Sequence, residues 1–156
     1  MMTPATRQLE QNNVRFQVLQ YQHQPSASSY GLEAVEKLAL NADQVFKTLV
    51  VCTDTDKLAV AIIPVKVKLN LKAIAKVLQV KKVKMAEAKR VETTTGYILG
   101  GVSPLGQKKQ LTTVIDASAE KFEEIYVSGG RRGLEIELAP KDLARLCQAK
   151  FATISN

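Results

Sequence analysis

Lys47 stands inside the run Val45-Phe46-Lys47-Thr48-Leu49-Val50-Val51-Cys52, whose β-branched and aromatic residues read as a strand buried on both faces. With two-residue alternation the lysine shares a face with Val45, Leu49 and Val51. An ammonium on an apolar face is costly unless a partner or a wet cleft receives it. Two readings follow. The lysine ends a strand, its stem on the core and its head in water, or it sits at the mouth of a pocket for an anionic or polar substrate. Two glycine-rich loops offer main-chain N–H groups to such a substrate: Gly100-Gly101-Val102-Ser103-Pro104-Leu105-Gly106 and Ser128-Gly129-Gly130-Arg131-Arg132-Gly133. Either loop alone reads as a tight turn between strands. Together with Lys47 they point to one shared cleft.

Other chemistries lack their residues. His23 is the only histidine and lies in a polar loop, so Ser-His-Asp and Cys-His systems have a single base to draw on, and a surface role suits it better. Cys52 and Cys147 are far apart and form no CxxC, there is no HExxH, and the carboxylates form no ladder, so nothing calls for a metal or a cofactor. Gly101 to Lys108 resembles a phosphate loop only superficially, because Gln107 separates glycine from lysine and Pro104 removes a donor.

Charge is concentrated. The chain of 156 residues carries +7, yet residues 66 to 90 alone carry +8, with nine Lys or Arg against Glu87. A solvated lysine face is the plain alternative, but this concentration favours a polyanion partner. Without aromatic residues in the window, phosphate contact is expected in preference to base stacking. Lys81, Lys82 and Lys84, with Arg131 and Arg132 beside the second loop, are the candidate contacts. No stretch approaches the ~20 apolar residues of a membrane span, and the first residues lack a signal-peptide core, so a cytoplasmic protein with reduced cysteines is expected.

These residues need a scaffold. Thr3-Pro4 starts a helix to about Gln11, and Arg15 to Tyr21 forms a strand. His23 to Ser29 is a loop, and a helix follows near Leu32 to Leu38. The Lys47 strand forms a hairpin with Lys57 to Pro64. Asn70 caps a helix from Leu71 to Leu78, and another covers Ala86 to Glu92. Short strands are expected at Tyr97 to Leu99, Thr112 to Asp116, Glu124 to Ser128 and Leu134 to Leu138, the last with one exposed face. A helix from Pro140 through Cys147 and an edge strand over Phe151 to Ile154 close the chain. The expected fold is a single α+β domain over 1–156, with a mixed or antiparallel barrel-like sheet flanked by helices, possible closure into a barrel included.

Thr3-Pro4-Ala5, Phe46-Lys47-Thr48-Leu49, Gly96-Tyr97-Ile98-Leu99-Gly100-Gly101-Val102-Ser103-Pro104-Leu105-Gly106 and Ile125-Tyr126-Val127-Ser128-Gly129-Gly130, in this order and spacing, resemble the YbaK family. These are free-standing Cys-tRNA(Pro) deacylases related to the editing domain of bacterial prolyl-tRNA synthetases. The resemblance implies trans-editing of cysteine mischarged on tRNA(Pro), with Cys-tRNA(Cys) as a further substrate. It assigns Lys47 as the essential lysine with Thr48 beside it, Tyr21 as an aromatic pocket residue, and Tyr30 where the family often has phenylalanine. It assigns Gly100 to Pro104, with Gly101, as one pocket loop, and Ser128, Gly129 and Gly130 as the other. It also implies a mechanism in which the substrate's own thiol attacks its ester carbonyl, giving a thiolactone, with mischarged tRNA(Pro) and prolyl-tRNA synthetase as partners. Nothing in the residues calls for an oligomer, so a monomer is the simplest expectation. Two alternatives stay open: a deacylase for another mischarged tRNA such as Ala-tRNA(Pro), and a non-catalytic synthetase-associated tRNA-binding module.

Overall fold

Thr3 Oγ1 accepts the Thr6 N–H at 3.2 Å and Thr6 Oγ1 accepts the Thr3 N–H at 2.8 Å. This reciprocal cap satisfies donors that a helix start leaves open, and Pro4 adds no unpaired donor in the first turn. The resulting helix α1 (Pro4–Gln11) buries Ala5, Thr6 and Leu9. The computed structural model describes residues 2–25 and 29–156, so part of the expected 23–29 loop lies outside the described residues. The chain continues through β1 (Phe16–Gln20), α2 (Tyr30–Leu38), β2 (Phe46–Thr53), β3 (Leu58–Pro64), α3 (Leu71–Leu78), β4 (Val83–Met85) and α4 (Ala88–Thr95). It ends with β5 (Thr112–Asp116), β6 (Ile125–Ser128), β7 (Leu134–Leu138), α5 (Pro140–Cys147) and β8 (Lys150–Ala152).

Two sheets result. The larger runs β4-β2-β3-β5-β8, and the smaller runs β1-β7-β6. The β2–β3 hairpin is antiparallel with Lys47 opposite Ile63, while β3–β5 and β5–β8 are parallel, so the larger sheet is mixed. One face of the larger sheet, with Val51, Ala61, Ile63 and Val114, packs under Ile74 of α3. The other face, with Phe46, Val50, Val60, Ile62 and Ile115, meets Ile125, Val127, Ile136 and Leu138 of the smaller sheet and Leu9 and Leu143 of the helices. Each large side chain so buried stabilises by about 1.5–3 kcal/mol. No helix of the described residues is long and apolar enough to cross a membrane.

The mixed α+β architecture is the expected one, but the sheet does not close into a barrel. β2 pairs with β3 along its length on one edge, and its other edge is divided. β4 takes Val51 to Thr53, and among the described residues β6 bridges to the chain just before β2, through the parallel pair Val45↔Tyr126. Because β4 is three residues long and the chain then leaves for α4, nothing completes the ladder in between.

Other expectations are corrected locally. Tyr97 to Leu99 is not a strand: Gly96 ends α4 at φ 84°, and the buried Tyr97 hydroxyl donates to Leu105 C=O at 2.6 Å. α2 turns Glu33 and Ala34 inward and leaves Leu32 exposed. β4, unforeseen among its lysines, is an edge strand, where flanking charge is ordinary. The face of β7 expected to be exposed carries Glu135, which is only 7% exposed.

Candidate active site

The divided edge of β2 opens into a cavity of about 370 Å³, near the lower end of the roughly 300–1,000 Å³ that ligand pockets span. In an antiparallel ladder the main-chain groups of alternate residues point to opposite edges. The Ala86 N–H donates to Val50 C=O at 3.0 Å on the β4 side, so the even-numbered residues of β2 face that edge. The N–H and C=O of Thr48 therefore point into the gap between β4 and β6. Phe46, Val50, Met85, Ala86, Val91 and Val102 supply apolar wall. Tyr30, Lys47, Thr48, Ser128 and Glu135 supply the polar groups, and Gly100 bare backbone.

Lys47 is half-buried, on the face that alternation assigns it, and its Nζ has one long contact, 3.5 Å to Val65 C=O. Burial lowers its pKa below the ordinary lysine range. No ion pair of the described residues includes it. Glu135 presents a carboxyl on the same wall. Burial pushes its pKa up to about 8, and its Oε2 has no hydrogen-bond partner among the described residues. Thr48 Oγ1 is likewise buried without a partner. A cavity with an unpaired cation, an unpaired carboxyl and an open main-chain edge suits a small ligand that carries its own complementary groups.

The two glycine-rich loops meet, because a Cβ on Gly101 would lie 2.7 Å from Arg131 Cα. Gly100, at φ 85°, reaches the wall and forms the seat of the Tyr30 ring, 2.6 Å from where a Cβ would stand. Ser128 reaches the wall as well, opposite Glu135 in the β6–β7 ladder. Gly101, Gly129 and Gly130 stand behind it. Their N–H groups donate to Ile98 C=O at 2.9 Å, Leu134 C=O at 2.8 Å and Ser128 Oγ at 3.3 Å respectively. Among the described residues nothing accepts the Gly100 N–H, and the Thr48 N–H faces the gap, so both are open to a ligand. The Gly106 N–H, part of the superficial phosphate loop, donates to Gln8 Oε1 at 2.7 Å and binds that segment to α1.

Tyr21 lies outside the lining, behind Tyr30, with its hydroxyl 3.5 Å from Tyr30 C=O. Its pKa is pushed up to about 12, by burial first and then by the charges of Glu135 and Glu33. Arg132 lies 4.9 Å over the Tyr30 ring, a cation–π contact, and donates from Nε to Leu99 C=O at 3.0 Å. Lys84 precedes Met85 of the wall on β4, and Lys81, Lys82 and Arg131 are exposed nearby in the chain. Basic side chains thus accompany two separate wall elements. Exposed Leu99, Met85 and Tyr30 form apolar rim between them.

Neither cysteine lines the cavity. Cys147 donates to Pro104 C=O at 3.2 Å with its thiol pushed up to about 12 by burial, and Cys52 lies at the far end of β2. His23 is held by Glu33 at 2.7 Å. Among the described residues no hydroxyl of the wall is hydrogen-bonded to a carboxylate, lysine or histidine that would activate it. Glu135 and the apolar contacts from Met85 and Leu99 were missed in the sequence. The signal for Glu135 was its register opposite Ser128, which only the sheet pairing reveals.

The aminoacyl-tRNA editing domain model matches residues 24–146. A protein of Enterococcus faecalis, provisionally named Cys-tRNA(Pro)/Cys-tRNA(Cys) deacylase EbsC, is 40% identical over 155 residues, 99% of this chain and 93% of that protein. Two solved structures share the fold: the hypothetical protein APE2540 (TM-score 0.87, 23% identity, 99% of this chain and 100% of that one) and a candidate trans-editing enzyme for prolyl tRNA synthetase (TM-score 0.81, 21% identity, 100% and 99%).

Proposed function

The chain belongs to the aminoacyl-tRNA editing domain family, and from that premise we propose that it removes cysteine from mischarged Cys-tRNA(Pro), and from Cys-tRNA(Cys), by an attack of the substrate's own thiol. The observation that carries this reading is a small cavity walled by Lys47, Thr48, Ser128 and Glu135 with neither cysteine nor histidine in its lining. A site without an activated nucleophile suits a substrate that brings one.

In the step envisaged, the cysteinyl sulfur attacks the ester carbonyl carbon. The C–S bond forms, the C–O bond to the terminal ribose breaks, and the thiol proton ends on the released ribose hydroxyl. The thiolactone then hydrolyses in water to free cysteine. Orientation of the thiol against its own carbonyl contributes on the order of 7–11 kcal/mol in well-aligned systems. In this reading the N–H groups of Thr48 and Gly100 receive the developing oxyanion, a role for which one donor contributes about 2.7–4 kcal/mol. Lys47 holds the ester or the terminal ribose-phosphate with its positive charge. Lys81, Lys82, Lys84, Arg131 and Arg132 hold backbone phosphates, which orient an RNA without reading it. Selection of tRNA(Pro) then belongs to prolyl-tRNA synthetase, acting as a partner.

The test is deacylation of a panel: Cys-tRNA(Pro), Cys-tRNA(Cys) and Ala-tRNA(Pro). Fast turnover of both cysteinyl tRNAs and slow turnover of the alanyl one is expected. Faster turnover of Ala-tRNA(Pro) would move the chain to a sister specificity, and no turnover with tight tRNA binding would make it a binding module.

A further inference from the structure

Among the described residues three carboxylates are buried, and two are fully engaged. Glu33 pairs with His23 Nδ1 and accepts the Gln24 N–H, both at 2.7 Å. Asp116 accepts the Ser118 N–H at 3.3 Å, the Ser118 hydroxyl and the Ile154 N–H at 3.0 Å. Glu135 is as buried as Glu33, at 7% against 6% exposure, but its Oε2 receives nothing and no Lys, Arg or His of the described residues pairs with it. It shares the cavity wall with Lys47, which is also without an ion-pair partner. A buried carboxyl without a partner is destabilising, and either a proton or an incoming cation relieves it.

We infer that Glu135 receives the α-ammonium group of the bound aminoacyl ester, an inference that rests on the deacylase reading of this cavity. Every aminoacyl-tRNA carries that cation on the carbon next to the ester carbonyl. With the ammonium on Glu135 and ester or ribose oxygens on Lys47, the two ionisable groups of the wall meet opposite ends of one ligand. The orphan carboxyl gains a charge-assisted hydrogen bond that the folded chain itself does not supply. The consequence is a second axis of specificity, independent of the side chain. An ester whose α-amine is acylated has no cation for Glu135 and leaves the carboxyl buried and unsatisfied. The site thereby accepts aminoacyl-tRNA and rejects peptidyl-tRNA and other N-acylated species.

The experiment compares Cys-tRNA(Pro) with N-acetyl-Cys-tRNA(Pro), which keeps both thiol and ester. The native protein is expected to lose about a hundredfold in kcat/KM on the acetylated substrate, the order of loss seen when one partner of a buried charge pair is removed. Glu135→Gln is expected to narrow that gap to about fivefold or less, and Glu135→Asp, which keeps the charge, to retain most of it. Titration of the same proteins with L-cysteine methyl ester and its N-acetyl derivative, followed by amide chemical shifts, reads the site without turnover. The free amine should bind at least about tenfold tighter to the native protein and equally to Glu135→Gln. Equal handling of free and acylated amines by the native protein, no binding of either ester, or discrimination that survives in Glu135→Gln overturns the assignment. Selective binding of the free amine by a protein that leaves Cys-tRNA(Pro) intact would overturn the deacylase reading and keep the ammonium site.

Discussion

The two ends of β2 treat charge in opposite ways. At the end joined to the β3 turn, Arg90 of α4 pairs with Asp56 Oδ1 at 2.7 Å, donates to Asp56 C=O at 2.9 Å and lies 3.4 Å from Cys52 Sγ. Both charges are answered within the chain, and the contact ties α4 to the hairpin. At the other end Lys47 and Glu135 share a cavity wall, and among the described residues neither has an ion-pair partner, Lys47 making only a long contact to Val65 C=O. The same strand thus has one end whose charges are paired and one end that opens into a cavity. Charges that a fold leaves unpaired in a cavity are where function is expected, because their cost is relieved only on binding.

Substitutions at the open end sharpen this contrast most. Lys47→Ala should lower single-turnover deacylation of Cys-tRNA(Pro) by about a hundredfold or more, in the range of lost transition-state electrostatics. Its tRNA affinity, read by filter binding, should stay within about threefold, since backbone phosphates engage other lysines. Gly100→Ala comes next, because it combines a φ of 85° with a Cβ 2.6 Å from the Tyr30 ring. Left-handed backbone costs about 1–2 kcal/mol for a non-glycine residue, so a lowered Tm is expected, with a weakened kcat/KM as Tyr30 shifts.

Glu135 makes a prediction in pH. Its folded pKa is about 8, raised by burial from the ordinary carboxyl value, so the folded state holds a proton that the unfolded state releases. Its contribution to stability is intact below the unfolded pKa and falls as pH rises towards 8. Tyr21, the titratable neighbour that feels its charge, ionises only near 12, and burial lowers the pKa of Lys47 on the same wall. Glu135→Gln should therefore raise stability relative to the native protein at pH 8 more than at pH 5, by about 1 kcal/mol or more in urea unfolding. A native-like pH dependence in that variant would break the claim that this carboxyl is unsatisfied.

Replacing Lys81, Lys82 and Lys84 by glutamine should weaken tRNA binding without touching turnover at saturating substrate. The slope of log affinity against log salt should become shallower by about one for each phosphate that the variant no longer neutralises. The smallest effect belongs to the completed end: Asp56→Asn removes an exposed pair and should leave deacylation unchanged and Tm little moved.

Much of this arrangement was legible in the residues. Asn70 caps α3 with its Oδ1 2.9 Å from the Ala73 N–H, as its position before an apolar helix face required. Lys47 occupies the face that alternation gave it, and the two glycine loops do touch. What stayed hidden depends on pairing between distant segments. The divided edge of β2 follows from the shortness of β4 and the single bridge to Tyr126, neither of which has a local signature. Glu135 alternates with Leu134 and Ile136 like any strand carboxylate facing water, and only the segments that close over β7 bury it. Tyr97 looked like strand because it is aromatic and flanked by apolar residues, yet Gly96 turns the chain and its hydroxyl anchors the loop.

The central claim is that the open end of β2 positions a substrate that attacks itself. Single-turnover deacylation of Cys-tRNA(Pro) against Ser-tRNA(Pro) tests it most directly, since the two differ in one atom, sulfur for oxygen. The account predicts cysteinyl ester cleavage faster by about a hundredfold or more, with intramolecular attack available to one substrate only. Equal rates on the two would contradict it and place the nucleophile in the protein or in water.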